Sequence, residues 1–564
     1  MTSDALLTAA AVLDGLTDSG LRELFVCPGS RSAPFAYEAA RRDGRDLSVH
    51  VRLDERSAAF HALGAARATG RPAAVVTTSG TAAGNLLPAV MEANHAAVPL
   101  VVLSADRPAE LRGTGANQTT VQPNLFGVHV RAAFDVGAGE DPAGPVREAL
   151  AAAVGRAEDG KPSGPVHLNL AFRDPLVPGG PIAKWSPDLE QGIGDVAAVQ
   201  GDLVQTAAVS ASPAPIPGGS TTVVVAGHGA GELAAVVAAH LDLPLFAEPS
   251  SNARFGSSAI APYRLLLEHL GPAITRVVTF GRPTLSRPIA ALLARADVEQ
   301  VLYLPEPVAW FEEGRRPERI IDNLPELLEF AGRGEDGWLR KWRDAGAAAE
   351  AAIHSLLDDE ESVTGPHVAD AVWEHSDGNL VLGSSNPIRD VDLVAATNWH
   401  PLEVFANRGL AGIDGTISTA TGVALAGGIP TRALMGDLTF LHDVGGLLLG
   451  AGEPQPDLHL VVLNDGGGGI FGLLEHGAET TTARYGAAVE RLFGTPHTVD
   501  IASLAAAYGL RYERATTVDE VDAALERPII GRSILEVRAD RATLRDLHAR
   551  IHRAVADVMG AGER

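Results

Sequence analysis

The sequence predicts an α/β protein of three successive units, each organised on a parallel β-sheet. Three observations carry this. A chain of 564 residues has room for about three to five domains. Short β-rich runs alternate with helical patterns in three separate stretches, as βαβ units do. Segments of different composition separate those stretches. Residues 209–221, VSASPAPIPGGST, are small, Pro-rich and uncharged, and residues 331–361 are charged, Ala-rich and without a strand pattern. The units are expected at 1–185, 200–345 and 360–564.

In the first unit, LRELFVCPGS reads as a strand running into a turn, residues 54–69 as a helix and AAVVTTSG as a strand. TAAGNLLPAVMEANH is helical, and PLVVLSADRP is a strand followed by a loop. The second unit reads TTVVVAGHGAGELAAVVAAH, then TRVVTFGRPTLSRPIAALLARA and EQVLYLPEP. The third restarts the pattern: NLVLGSSNPIRD and LEVFANRG are strands ending in loops, and TISTATGVALAGG is a helix. RALMGD is a strand, LTFLHDVGGLLLG a helix, and LHLVVLNDGGGGIF a strand into a glycine loop. FVCPGSRSAP and LVLGSSNPIRD echo each other, which suggests a duplication.

Composition narrows the function classes. The apolar fraction of 46% and charged fraction of 20% are those of a globular chain with substantial cores. A net charge of −25 repels polyanions, and no concentrated basic patch offsets it, so no nucleic-acid role is expected. Three of the cations are lysines, Lys161, Lys184 and Lys341, and the rest are arginines. Cys27 stands alone, so no disulfide and no cysteine-based metal cluster forms within the chain. The opening MTSDALLTAAAVLDGL lacks a basic segment, carries Asp4 and Asp14, and reads as a helix rather than a signal peptide. No apolar stretch reaches the roughly 18–20 residues of a membrane span. A cytoplasmic protein is expected.

The densest chemistry lies in residues 436–471. Gly436-Asp437 ends one strand, and Asn464 ends the next 27 residues later, followed by Asp465 and four glycines. Consecutive parallel strands bring their C-terminal ends to one edge, so Asp437 and Asn464 become neighbours. A carboxylate, an amide oxygen and a loop carbonyl form a hard-oxygen set suited to Mg²⁺, and the glycines let backbone N–H groups approach a phosphate. The same residues also read as a turn aspartate beside a flexible glycine loop. GHGAGE, residues 227–232, follows a strand and precedes a helix, but it is GxGxG rather than GxGxxG and reads as a turn. Glu55, beside Asp54 at the start of a helix, reads on its own as a first-turn acid favoured by the helix dipole.

Together, a Glu at the start of an early helix, TTSGTAAGNLLPA and a late GD…N pair resemble the thiamine diphosphate (ThDP) enzymes. Their pattern is GDG followed, about thirty residues on, by NN. This chain departs twice: Leu438 replaces the third Gly and Asp465 the second Asn. PGSRSAP, DERSAAFHALG, TSGTAAGNLLPAVMEA, SADRP, GANQT, NRGLAGIDG, GDLTFLHD and GGGGIFGLL, in that order, are similar to one branch, the MenD-type synthases.

The resemblance implies a pyrimidine-binding (PYR) first unit, a central unit and a diphosphate-binding (PP) third unit. It implies an active site assembled between two chains of a homodimer or homotetramer. It implies a ThDP- and Mg²⁺- (or Mn²⁺-) dependent transferase that decarboxylates 2-oxoglutarate and adds the succinyl unit to isochorismate, in menaquinone biosynthesis. Glu55 would hydrogen-bond N1′ of the aminopyrimidine and Ile413 would wedge under the cofactor. Asp437, Asn464 and the Gly466 carbonyl would hold the metal. Gly436, Leu438, Gly468, Ile470 and Phe471 would line the cofactor site. Both substrates are dianions, for which arginine's planar fork is suited. Arg31, Arg107, Arg389 and Arg408 match substrate positions, as do Asn117, Gln118 and Ser385. Arg287 is a further candidate in the middle unit, although Ser286 stands where some relatives carry Lys. Another ThDP-dependent decarboxylase or carboligase is the alternative, and a flavin- or nicotinamide-binding oxidoreductase using GHGAGE is a third class.

Overall fold

The computed structural model describes residues 3–179, 218–312, 314–398 and 401–562. The expected boundaries at 185 and 200, and most of the expected linker at 209–221, lie outside these residues.

Three sheets are present, and every strand pair in them is parallel. The first has the order β2-β1-β3-β4-β6-β5, from β1 (Glu23–Val26), β2 (Ser48–Val51), β3 (Ala73–Thr77), β4 (Leu100–Asp106), β5 (Ala133–Val136) and β6 (Val166–Ala171). The second has the order β11-β10-β9-β7-β8, from β7 (Thr222–Ala226), β8 (Leu245–Ala247), β9 (Arg276–Phe280), β10 (Glu299–Tyr303) and β11 (Arg319–Ile321). The third has the order β13-β12-β14-β15-β17-β16, from β12 (Asn379–Leu382), β13 (Glu403–Phe405), β14 (Thr431–Gly436), β15 (Leu458–Asn464), β16 (Arg511–Ala515) and β17 (Arg532–Arg538). Central strands such as β3, β4 and β15 are buried along their whole length, which is why they read as continuous apolar runs.

The first and third sheets have the same order once each is counted from its own first strand. β1 and β12 occupy equivalent places, so the echo of FVCPGSRSAP in LVLGSSNPIRD falls on equivalent strand ends.

The helix Glu55–Thr69 begins where Asp54 accepts hydrogen bonds from the N–H groups of Arg56 and Ser57, and it ends at Gly70 with φ +64°. Its residues 57–66 are all buried, because it is covered on one side by the first sheet and on the other by the helix Thr416–Gly427. That second helix, TISTATGVALAG, is built of small residues that permit close approach. The third residues of the two helices, Ser57 and Ser418, share a hydrogen bond of 3.1 Å. A Cβ on Gly64 would overlap the Thr419 carbonyl, and one on Gly422 would overlap that of His61. This crossing locks the first and third units together.

Two expected helices differ in extent. TAAGNLLPAVMEANH divides into Thr81–Gly84 and Leu87–His95. The expected LTFLHDVGGLLLG helix spans Asp437–His442 and passes into a 3₁₀ turn, Val444–Leu447. There the chain turns so that Gly446 abuts Ser418, a position with no space for a Cβ. Residues 331–361 are helical as expected, over Trp338–Asp358. Among the described residues no helix is long and apolar enough to cross a membrane.

Candidate functional site

The sequence-predicted residues gather at two sheet edges. The first lies at the C-terminal ends of β1, β3 and β4. Arg31, 7% exposed, follows β1 and donates to the Phe172 carbonyl at 2.8 Å. Arg107 follows β4 and donates through Nε and Nη2 to the Asn117 carbonyl at 3.3 and 2.8 Å. The two arginines are close enough that, after burial, Arg107 is the main influence lowering the Arg31 pKa. Gln118, at φ +54°, is sewn to the turn after β3. Its amide donates to Ser79 O at 2.9 Å, and Ser79 Oγ donates back to Gln118 O at 2.7 Å. Glu55 is half-buried and accepts from Asn85 Nδ2 at 3.3 Å. Asp54 does the capping, so the Glu55 carboxylate is not consumed by the helix terminus.

The second group lies at the C-terminal ends of β12 to β15. Ser385 caps the helix Asn386–Val394 with φ +81° and ψ −140°, a backbone region that is nearly glycine's alone. Gly80, after β3 in the first unit, has φ +83° and ψ −137°. Arg389 donates to Ser385 O at 2.7 Å. Arg408, 2% exposed, bonds Thr284 of the middle unit. Burial lowers the pKa of both Arg389 and Arg408; Arg264 lowers that of Arg389 further, and Arg389 that of Arg408. Ile413 is half-buried in a turn whose Gly415, at φ +59°, packs flat on the Phe60 ring.

Asp437 is 2% exposed, and its Oδ2 lies 2.9 Å from His497 Nε2. Asn464 is fully buried. Its Nδ2 donates to Glu536 Oε1 at 2.7 Å, and its Oδ1 accepts from Gly466 N at 3.1 Å. Asp465 is pushed up to about 7, first by burial and next by the charge of Asp437. Gly466 has φ +77°, and a Cβ on Gly468 would lie 2.6 Å from Phe493 O, so the loop needs glycine both for its conformation and for its packing. Ile470 and Phe471 follow, half-buried, with the Phe471 ring 5.5 Å from Phe493.

Three residues escaped the sequence reading. His497 lies 60 residues from Asp437, and nothing in its GTPH context marks it. Asp465 was visible only as a departure from NN. Glu248 is described below. Arg287 begins the helix Arg287–Leu293 and pairs with Glu475 at 2.8 Å, both side chains exposed. Ser286 accepts from Ile289 N at 3.3 Å and so caps that helix. Gly227 of GHGAGE abuts the backbone of Arg282–Pro283 with no space for a Cβ, as a turn glycine does. Among the described residues no hydrogen bond or ion pair joins Glu55, Arg31 or Arg107 to Asp437, Asn464, Arg389 or Arg408.

Comparisons with known proteins bear on both edges. Residues 7–126 match the family "Thiamine pyrophosphate enzyme, N-terminal TPP binding domain", and residues 392–537 match its C-terminal TPP binding domain. Among solved structures, benzoylformate decarboxylase from Polynucleobacter necessarius superposes with a TM-score of 0.62 at 15% identity, over 95% of this chain and 98% of that one. A putative thiamin diphosphate-dependent enzyme from Mycobacterium smegmatis gives 0.64 at 18% identity, over 94% and 99%. These two share the fold. The 2-succinyl-5-enolpyruvyl-6-hydroxy-3-cyclohexene-1-carboxylate synthase of Paenarthrobacter aurescens is 57% identical over 99% of both chains. That of Arthrobacter sp. is 58% identical over 99% of this chain and 93% of its own, and that of Nocardioides sp. is 46% identical over 97% of each. Full-length identity at this level, with both edges in place, means that the chain belongs to the 2-succinyl-5-enolpyruvyl-6-hydroxy-3-cyclohexene-1-carboxylate synthase family of thiamine pyrophosphate enzymes.

Proposed function

We propose that the chain condenses 2-oxoglutarate with isochorismate, releasing CO₂ and forming 2-succinyl-5-enolpyruvyl-6-hydroxy-3-cyclohexene-1-carboxylate, a cytoplasmic step of menaquinone biosynthesis. The bond between C1 and C2 of 2-oxoglutarate breaks, a bond from C2 to the ring forms, and nothing is oxidised. The observation that carries this reading is how the four arginines are held. Arg31, Arg107, Arg389 and Arg408 end on carbonyl or hydroxyl oxygens, and among the described residues only Arg31 has a carboxylate within 4 Å, the exposed Asp174 at 3.9 Å. A guanidinium bonded to neutral acceptors keeps its full charge for a substrate carboxylate.

Several features support a ThDP and Mg²⁺ site at the third edge. Asp437 and Asp465 bring two carboxylates together, with burial and the Asp437 charge both working against ionisation of Asp465, and a divalent cation with oxygen ligands relieves that repulsion. Asp437, Asn464 and the Gly466 carbonyl are the proposed ligands. Glu536 holds the Asn464 amide by its N–H, and Oδ1 accepts one hydrogen bond, from Gly466 N, which leaves a lone pair for the metal; the neighbouring Asp465 is the alternative second side-chain ligand. Gly436, Leu438, Gly468, Ile470 and Phe471 border the diphosphate and thiazolium. When bound, ThDP supplies a nucleophilic carbon and an electron sink for decarboxylation.

With ThDP bound, Glu55 would hold a proton at N1′ of the aminopyrimidine, and Ile413 would pack against the cofactor. Arg31, Arg107, Asn117, Gln118, Ser385, Arg389 and Arg408 orient the two dianions, with Arg287 reaching from the middle unit. The PYR unit (1–185) of one chain faces the PP unit (360–564) of another across the central unit's side (200–345), in a homodimer or a tetramer of such dimers. Leu53 and Val121, beside the first edge, are 67% and 79% exposed, and the helix Glu479–Val489 after the glycine loop has no buried residue. Such apolar exposure fits a partner surface.

The test is product analysis from isochorismate and 2-oxoglutarate with ThDP and Mg²⁺. The expected product has the mass of both substrates less CO₂. Release of succinic semialdehyde alone, with isochorismate untouched, would overturn the proposal in favour of a simple decarboxylase.

A further inference from the structure

Glu248 follows β8 in the middle unit and is 1% exposed. Its Oε1 accepts the backbone N–H groups of Thr284 and Leu285 at 2.7 and 2.8 Å, and its Oε2 has no hydrogen-bond partner. On the other side of the same turn, Arg408 donates to Thr284. Its Nη2 reaches Thr284 O at 3.1 Å and Oγ1 at 2.8 Å, and its Nε reaches Oγ1 at 3.0 Å. Among the described residues Arg408 Nη1 hydrogen-bonds nothing, and no carboxylate pairs with this arginine.

The backbone beyond Arg408 is gripped from the first unit. Glu92, 4% exposed, accepts the N–H groups of Gly409 and Leu410, each at 2.7 Å, while Arg282 donates to Gly409 O at 2.6 Å. A Cβ on Gly409 would lie 2.6 Å from Glu92 O, so only glycine fits. A buried carboxylate without a cation in contact is costly. Here Glu248 stands one peptide away from a cation whose donors it leaves free. A direct ion pair would occupy the fork, whereas a carboxylate acting through the turn orients the fork and leaves one face for an incoming anion.

We propose that Glu248 is a positioning residue for substrate recognition: by holding the Thr284–Leu285 turn, it fixes the direction in which Arg408 presents its guanidinium. The middle unit thereby acts on a site formed by the other two. The inference rests on the reading of Arg408 as a carboxylate-binding residue.

The test compares Glu248→Ala, Glu248→Gln, Arg408→Ala and the Glu248→Ala/Arg408→Ala double variant. Each is measured as holoenzyme for both substrate KM values, kcat and ThDP affinity. Glu248→Ala should raise the same KM that Arg408→Ala raises, by about tenfold to a hundredfold, the range for a hydrogen bond to a charged group. ThDP affinity should stay within about twofold, and in the Arg408→Ala background Glu248→Ala should add less than about twofold, as coupled residues do. Glu248→Gln keeps an acceptor oxygen and should recover most of the loss. Full additivity, or an equal change in both KM values and ThDP affinity, would overturn the inference while leaving Arg408 in its role. An Arg408→Ala variant with both KM values intact would instead remove the reading beneath it. If Glu248→Ala does not fold, Thr284→Val, which deletes the hydroxyl contact, must raise the same KM, and an unchanged KM would overturn the inference.

Discussion

The crossing of Glu55–Thr69 with Thr416–Gly427 makes a single methyl group a test of how the site is assembled. In Gly64→Ala the new Cβ would overlap the Thr419 carbonyl oxygen and lie 2.9 Å from its carbon, where ordinary contact begins at 3.4 Å. The obstructing atoms are backbone, so no side chain can swing aside, and the helices must part by about 1 Å to restore contact. Alanine gains at most about 1 kcal/mol of helix propensity over glycine, while overpacking a core costs about 1–3 kcal/mol. A net loss of about 1–2 kcal/mol follows. The functional cost is larger, because Glu55 starts one helix and the Ile413 turn leads into the other, so parting the helices displaces a group in each of the two sites to which the chain contributes. A displacement near 1 Å at a reacting centre is worth about 10²-fold in rate. Urea unfolding and steady-state kinetics read the two effects. kcat should fall by about tenfold to a hundredfold with substrate KM values nearly unchanged, since the four arginines ride on other elements. Gly560→Ala, where a Cβ meets nothing within 4 Å, is the control. If Gly64→Ala behaves like that control in both stability and kcat, the helix crossing does not set the site.

Three further outcomes follow from the same geometry. Glu55→Gln should keep ThDP affinity within about tenfold yet slow turnover by about 10²–10⁴, and deuterium exchange at C2 of bound ThDP as fast as in the parent would remove its proposed role. Asp437→Ala should weaken Mg²⁺-dependent ThDP binding, with Asp465→Ala weakening it more than Asn464→Ala if Asp465 supplies the second ligand; unchanged ThDP titrations would place Asp437 outside the metal site. Burial lifts Asp443 from 3.8 to about 6, so between these values the folded chain holds a proton that the unfolded chain has released, and its contribution to stability declines as pH rises through that window. Asp443→Asn should therefore match the parent near pH 4 and exceed it above pH 6 by at most about 3 kcal/mol, and parallel stability–pH curves would refute the assignment.

What could be read from the sequence follows from the range of the interactions concerned. The three parallel sheets were legible because buried central strands such as β15 leave uninterrupted apolar runs. Most of the candidate site residues could be picked out because they sit shortly after those strands. Other strands were not legible: β5, AFDV, is partly exposed, β16, RYERA, has the polarity of a surface segment, and the interior strands β6 and β17 also went unread, whereas the edge strand β13 was read. The lengths of the helices after Thr81 and Asp437 were missed because packing decides them, as where Gly446 meets Ser418. His497 and Glu248 were invisible for a related reason. Each contacts a partner distant in the chain, Asp437 or the turn under Arg408, and a lone His or Glu carries no spacing that points there.

The charge balance shows how local structure overrides composition. A net charge of −25 ought to disfavour two dianionic substrates, yet exposed charges more than about 10 Å away are largely screened at physiological salt. What a substrate meets is decided by the few groups within that distance and by whether their charge is already spent. Many surface arginines of this chain are spent on carboxylates, as Arg112 is on Asp106 and Asp135 and Arg173 on Glu110. At the two sheet edges the acids nearest the arginines are diverted. Asp106 is taken by Arg112 and Asn169, Glu92 by the amides of Gly409 and Leu410, and Glu248 by those of Thr284 and Leu285. Backbone amides thus absorb negative charge that would otherwise quench Arg408, and backbone carbonyls orient Arg31, Arg107 and Arg389 without neutralising them. An acidic protein can in this way present positive pockets to acidic substrates. The arrangement around Arg408 draws on all three units: Glu92 comes from the first, Glu248 with the amides of Thr284 and Leu285 from the middle, and Arg408 with the amides of Gly409 and Leu410 from the third.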